Sequence, residues 1–338
     1  FRRTTTPVSV DPFLVYWLEH RVLPRTVAES LTAQDPATGE IMPWLAKPWE
    51  VSEDALTYTV HFRDDVTFSN GERFDARAVK TAFDSNKALA TELPATFGAT
   101  YLAGFDHAEV VDDFTVKLVL AKPNAGFLQA TSTTNLSILA PASYALSAKE
   151  RSLGKIIGTG PFVFKRYQKD SQIRYVANKQ YWKPEDVKLD NLVFAITPDA
   201  ASRLQKLKAN ECQIALFPKP DDIPSIKKDP NLKVDELAAM TTSYTALNTT
   251  HKYISDARVC HAINIAFDKA GYTEALFGKG NAVVGTGPYP PTLLGFSDKL
   301  KNPPRDLDKA RALLKEAGVP EGTEFTLFTR NGGGPTNP

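Results

Sequence analysis

Residues Thr159-Gly-Pro-Phe-Val-Phe164 and Gln172-Ile-Arg-Tyr-Val176, joined by Gln168-Lys-Asp-Ser171, decide the fold class. The two segments flank a polar turn, so they read as a β-hairpin. A strand over Leu192–Thr197 follows, then a helix over Ala200–Lys208 capped by Asp199, then a strand over Gln213–Phe217. That β–α–β order favours a parallel pair with a crossover helix. The class is mixed α/β with more than one sheet.

Toward the N-terminus, Tyr58, Val60 and Phe62 alternate with Thr59 and His61, the period of a half-buried strand. Ser69-Asn-Gly71 marks a tight turn. Asp75 is placed to cap a helix whose buried face is Val79, Ala82 and Phe83, at spacings of three and four. Val116, Leu118 and Leu120 predict another strand, and Leu136–Leu139 a short one. Toward the C-terminus, Tyr244–Leu247 and Phe325–Phe328 read as strands. Helices are expected after Asp256, over Tyr272–Phe277 closed by Gly278, and over Leu307–Ala317 ended by Gly318.

The 338 residues suggest about two domains. Forty Lys and Arg against 39 Asp and Glu leave a net charge of +1, and no basic stripe appears, which excludes a nucleic-acid binder. No stretch approaches the roughly 20 apolar residues of a membrane span.

The search for chemistry is mostly negative. The five histidines, His20, His61, His107, His251 and His261, lack zinc-ligand spacing, so no metal is expected. No nucleophile elbow, phosphate loop or metalloprotease motif is present, and no cofactor is implied. Asp64-Asp65, Asp112-Asp113 and Asp221-Asp222 sit at turns, where aspartate bonds local backbone. Cys212 and Cys260 read as thiols packed as small hydrophobes, with a bridge between them as the alternative. What remains is a surplus of aromatics in loop-rich regions: Trp17, Trp44, Trp49, Phe97, Tyr101, Trp182 and Tyr289. Such rings are either core plugs or walls of a ligand cleft.

Five separated blocks resemble the extracellular solute-binding proteins of family 5, the peptide, dipeptide and nickel binding components of ABC importers. Met42-Pro-Trp-Leu-Ala-Lys-Pro-Trp-Glu-Val-Ser-Glu-Asp54 is similar to its P-x-L-A-x-x-W-x-x-S-x-D signature. Tyr58–Arg63, Val66-Thr-Phe-Ser-Asn-Gly71 and Phe74-Asp-Ala-Arg-Ala-Val79 resemble the next block. Ile157-Gly-Thr-Gly-Pro-Phe162 with Asn178-Lys-Gln-Tyr-Trp182, and the helix from Asp306 to Gly318, resemble later ones. Tyr167–Tyr175 and Asn210-Glu-Cys-Gln213 look most like dipeptide-binding members. The family's V-R-x-A-L-x-x-A-I-D block is altered here to Arg258-Val-Cys-His-Ala-Ile-Asn-Ile-Ala-Phe-Asp268.

The resemblance implies a type II periplasmic-binding-protein-like fold, multi-lobed with mixed sheets and with an incomplete last lobe. Lobe I would comprise 1–31 with 156–243, lobe II 32–155, and a truncated lobe III 244–338. It implies a periplasmic or extracellular monomer, with or without a lipid anchor, that binds di- or oligopeptides between lobes and docks on membrane permease subunits. A nickel chelate, haem, an opine or a sugar on the same fold, or a sensor role, are the alternatives; no enzyme is implied. Its expected ligand-binding residues are Glu19, His20 and Arg21 on a cleft-facing loop, Phe97 and Tyr101 on the small lobe, and Thr159 after a lobe crossing.

Overall fold

A computed structural model describes residues 2–3, 9–16, 20–237, 240–293 and 295–328. Apart from the first two residues, the chain falls into two compact units, Arg3–Ile196 and Thr197–Pro338.

Among the described residues, the strands lie in the first unit apart from Arg2: β1 (Arg2–Arg3), β2 (Thr32–Gln34), β3 (Ile41–Pro43), β4 (Ala46–Val51), β5 (Thr57–Phe62), β6 (Phe105–Asp112), β7 (Thr115–Leu120), β8 (Phe162–Gln168), β9 (Gln172–Ala177) and β10 (Asn191–Ile196). They form two four-stranded sheets, ordered β4–β5–β7–β6 and β1–β10–β9–β8, and a β2–β3 ribbon. Its helices are α1 (Val22–Arg25), α2 (Ala76–Glu92), α3 (Phe97–Tyr101), α4 (Phe127–Ala130), α5 (Pro141–Tyr144) and α6 (Ala148–Ser152).

Alternation decides which face of each strand is buried. Tyr58, Val60 and Phe62 of β5 and Val116, Leu118 and Leu120 of β7 point into one core. Asp75 caps α2 by accepting from Ala78 N at 2.8 Å, so the helix begins where its apolar stripe does. Val79, Ala82, Phe83 and Leu89 then close over the sheet, with Phe83 against Phe105 at 5.2 Å between ring centroids. Fully burying each large side chain contributes about 1.5–3 kcal/mol. A second core gathers Val10, Leu23, Val27, Leu139, Ile156, Ile173, Tyr175 and Phe194 against the β8–β9 hairpin.

The second unit is helical among its described residues: α7 (Ala200–Lys208), α8 (Ile223–Lys227), α9 (Ala257–Ala266), α10 (Lys269–Phe277) and α11 (Leu307–Glu316). Ala262 and Ile265 of α9 bury against Ala310 of α11. Arg203 of α7 donates to the carbonyls of Thr197, Pro198, Leu216 and Phe217 at 2.5–3.1 Å.

Four expected strands differ. Leu136–Leu139 is a 3₁₀ turn over Thr134–Leu136 and one bridge from Ile138 to Glu29. Gln213–Phe217 is irregular apart from one bridge residue at Ala215, so the expected parallel pair does not form among the described residues. The reason is a contact from α7. Arg203 takes the Leu216 and Phe217 carbonyls, and Phe217 turns to the left-handed region at φ 53°. Tyr244–Leu247 and Phe325–Phe328 are irregular too. Every ladder whose register is described runs antiparallel. Cys212 and Cys260 are free thiols, the first buried and the second half-buried. No described helix is long and apolar enough to cross a membrane.

Candidate ligand-binding site

The site begins with how residues 9–16 are held. Asp11 accepts from Phe13 N at 2.9 Å and from the Arg151 Nε at 2.6 Å, with both side chains buried. Burial pushes the Asp11 carboxyl up, while Arg151 and the backbone N–H groups oppose the shift. From the other side, the fully buried Asn135 donates its amide to the carbonyls of Pro12 and Val15, each at 3.0 Å. The turn is therefore tied at several backbone points and presents a fixed edge.

α3 docks onto that edge. A Cβ at Gly98 would lie 2.5 Å from the Phe13 carbonyl oxygen, so only glycine permits the contact. The docking sets Phe97 against Tyr16 at 4.8 Å, and Tyr101 stacks on Phe97 at 6.2 Å with 23° between planes. The Arg21 guanidinium lies 5.1 Å from the Phe97 centroid and 5.9 Å from that of Tyr101. Its Nε is buried and has no hydrogen-bond partner among the described residues. A guanidinium on two ring faces keeps its charge while presenting its fork to an anion.

Three of the expected site residues, Arg21, Phe97 and Tyr101, thus come together although Arg21 lies far from the other two in sequence. Tyr16, half exposed, joins them unforeseen; its sequence signal was an aromatic beside the charged cluster in a turn-rich segment. His20 is buried. Glu19 lies outside the described residues.

Thr159 is fully buried in a different cluster. Its hydroxyl donates to Glu29 Oε2 at 2.8 Å. The same carboxylate accepts from Trp182 Nε1 at 3.0 Å, Trp44 Nε1 at 2.8 Å and the Tyr181 hydroxyl at 3.0 Å. Desolvation raises the Glu29 pKa, and the four donors oppose it. Lys183 Nζ lies 4.0 Å from the Trp44 centroid, and Arg63 Cζ lies 4.2 Å from that of Trp182. The glycines around Thr159 have a reason: a Cβ at Gly158 or Gly160 would meet the Val27 backbone at 2.2 or 2.7 Å. Sequence reasoning missed Glu29. Its one signal is an isolated acid inside the run Val27–Ala33.

The hydroxyl of Thr159 that meets the Glu29 carboxylate is fully buried. Among the described residues, no group of three or more His, Cys, Asp or Glu could hold a metal ion. An open cavity of about 540 Å³, lined by residues such as Ser69, Lys165, Asn178 and Lys179, shares no residue with either cluster.

Comparison with known proteins gives these features a frame. The profile of "Bacterial extracellular solute-binding proteins, family 5 Middle" matches residues 40–338. The chain is 45% identical to Di/tripeptide-binding protein 4 of Pseudomonas aeruginosa (strain UCBPP-PA14) over 93% of its length, and spans 62% of that relative. It is 41% identical to Di/tripeptide-binding protein 2 of the same strain, covering 90% of this chain and 60% of the relative. Among solved structures, the ABC transporter-associated periplasmic binding protein DppA from Helicobacter pylori, in complex with peptide STSA, superposes with a TM-score of 0.85 at 31% identity. That match covers 95% of this chain and 66% of that one. The α/β architecture is thus that of the periplasmic binding proteins, and the chain belongs to the bacterial extracellular solute-binding proteins of family 5.

Proposed function

We infer that this chain is the larger part of the peptide-binding component of an ABC importer, working outside the cytoplasmic membrane as a monomer that delivers its ligand to permease subunits. Its ligand class is di- and tripeptides. The observation that carries this reading is the Arg21 guanidinium seated on Phe97 and Tyr101 with a buried, unpartnered Nε. An extended peptide offers a carboxylate to such a fork and apolar surface to the rings around it. Relatives named as di/tripeptide-binding proteins support the same class. Glu19 and His20 belong to the same loop as Arg21, and Thr159 to the separate Glu29 cluster. The two cores of residues 9–196 follow the lobe I and lobe II boundaries apart from Phe13, Leu31 and Leu139.

Calorimetric titration of the complete protein with a dipeptide panel tests this. The R21M variant keeps the stem on the rings but removes the fork, and is expected to bind at least about tenfold more weakly, a loss of about 1.4 kcal/mol. Ligand at 100 times its dissociation constant should stabilise the wild type by about 2.7 kcal/mol. No stabilisation by any peptide at millimolar concentration, with tight binding of haem or a nickel chelate instead, overturns the assignment.

A further inference from the structure

The sheet β4–β5–β7–β6 has two edge strands, and an edge strand offers unpaired N–H and C=O groups to any other extended chain. The β4 edge carries Pro48, which has no N–H to donate, and its register with β5 breaks between Ala46 and Trp49. β6 has no proline. It has register irregularities against β7, yet Val110 and Val111 stand 39% and 54% exposed on it.

Two lysines of α2 reach this strand. Lys80 and Lys87 are seven residues apart, two helical turns, and so share a face. Lys80 Nζ donates to the Ala108 carbonyl at 2.9 Å and to Asp84 Oδ2 at 2.8 Å. Lys87 Nζ donates to the Asp106 carbonyl. A strand carbonyl that accepts an ammonium is withdrawn from an incoming N–H, and the ammonium itself would have to be desolvated beneath a new strand.

The chain that would otherwise dock is a second copy of β6. In a two-fold antiparallel pairing centred on Ala108, Asp106 faces Val110 and His107 faces Glu109. No two carboxylates stand directly opposite, so the side chains themselves do not forbid the dimer. We propose that Lys80 and Lys87 guard the β6 edge against strand pairing by a second copy of this chain and so hold the protein monomeric. The inference is independent of the ligand.

Light scattering coupled to size exclusion, over a concentration series, tests it on the full chain. Wild type and K80R/K87R are expected at monomer mass. K80A/K87A is expected to shift toward twice that mass as concentration rises, and adding V110P is expected to restore the monomer by removing a β6 N–H. A folded K80A/K87A that stays monomeric overturns the proposal, as does an oligomer that V110P leaves intact. If K80A/K87A loses its circular dichroism, K80M/K87M keeps the apolar stems over the sheet and takes its place. Failure of both to fold assigns the lysines to structure alone and overturns the guard.

Discussion

The Trp182 indole N–H donates to Glu29 Oε2 at 3.0 Å across 153 residues of chain. With Trp44 on the other oxygen, two obligate donors are aimed at the two oxygens of one buried carboxyl group. The segment before β2, the turn after β9 and the Gly158-Thr159-Gly160 segment therefore meet at a single side chain.

Glu29→Ala should lower stability by about 3 kcal/mol or more, because it leaves two half-buried indole N–H groups and the hydroxyls of Thr159 and Tyr181 without their acceptor, at about 1–3 kcal/mol for each unsatisfied buried group. Glu29→Gln keeps one oxygen and sets an amide N–H₂ against a donor, so a smaller loss is expected. Urea unfolding measures both, and a loss below 1 kcal/mol for the alanine variant would sink the hub interpretation.

The pH dependence has a definite sign. The folded-state pKa of Glu29 is raised by desolvation, so the folded chain binds this proton more readily than the unfolded one. The contribution tied to its protonated form is full below the ordinary glutamate range. It is lost as pH rises through the raised folded value. Wild-type stability relative to Glu29→Gln should therefore decline over that window and level off above it, as read from unfolding midpoints across pH.

Gly98→Ala should cost about 1–3 kcal/mol, the range for overpacking, since its methyl would meet the Phe13 carbonyl, a backbone atom that cannot rotate away. Because α3 carries Phe97 and Tyr101, peptide affinity should fall together with stability. A variant that loses stability but binds normally would separate α3 docking from the site.

Asp11→Asn and Arg151→Met should each cost about 3–5 kcal/mol, as each leaves its partner's buried charge uncompensated. The double variant should cost less than the sum of the two. Additive losses in the double-mutant cycle would show that the pair is not coupled.

Arg203→Lys should lose about 1.5–3 kcal/mol despite keeping the charge, because an ammonium cannot span four carbonyls from two segments as the planar fork does. Full retention of stability on thermal unfolding would refute the clamp.

Where local chemistry alone decides, residue patterns were readable. Asp75, Asp199 and Asp256 each accept from an N–H of the first turn, as their positions before an apolar stripe required. The alternation of Tyr58, Val60 and Phe62 appears directly as the buried face of β5. Gln213–Phe217 failed for a reason no local pattern carries: a guanidinium from a helix earlier in the chain occupies the carbonyls a ladder would use. In the candidate site, Arg21, Phe97 and Tyr101 were nameable as residue types, but their meeting depends on Gly98 letting α3 reach the Phe13 turn.

By itself, then, the sequence determined the α/β class, the helix starts, the faces that bury and the family motifs, since these rest on periodicity, capping and residue order. Tertiary structure alone decided which acid became the buried acceptor of four donors and which arginine came to rest on two aromatic faces. It also decided which strand edge two lysines cover. Each of those depends on groups tens of residues apart entering the same desolvated space, where hydrogen bonds and charges carry far more weight than they do along an open chain.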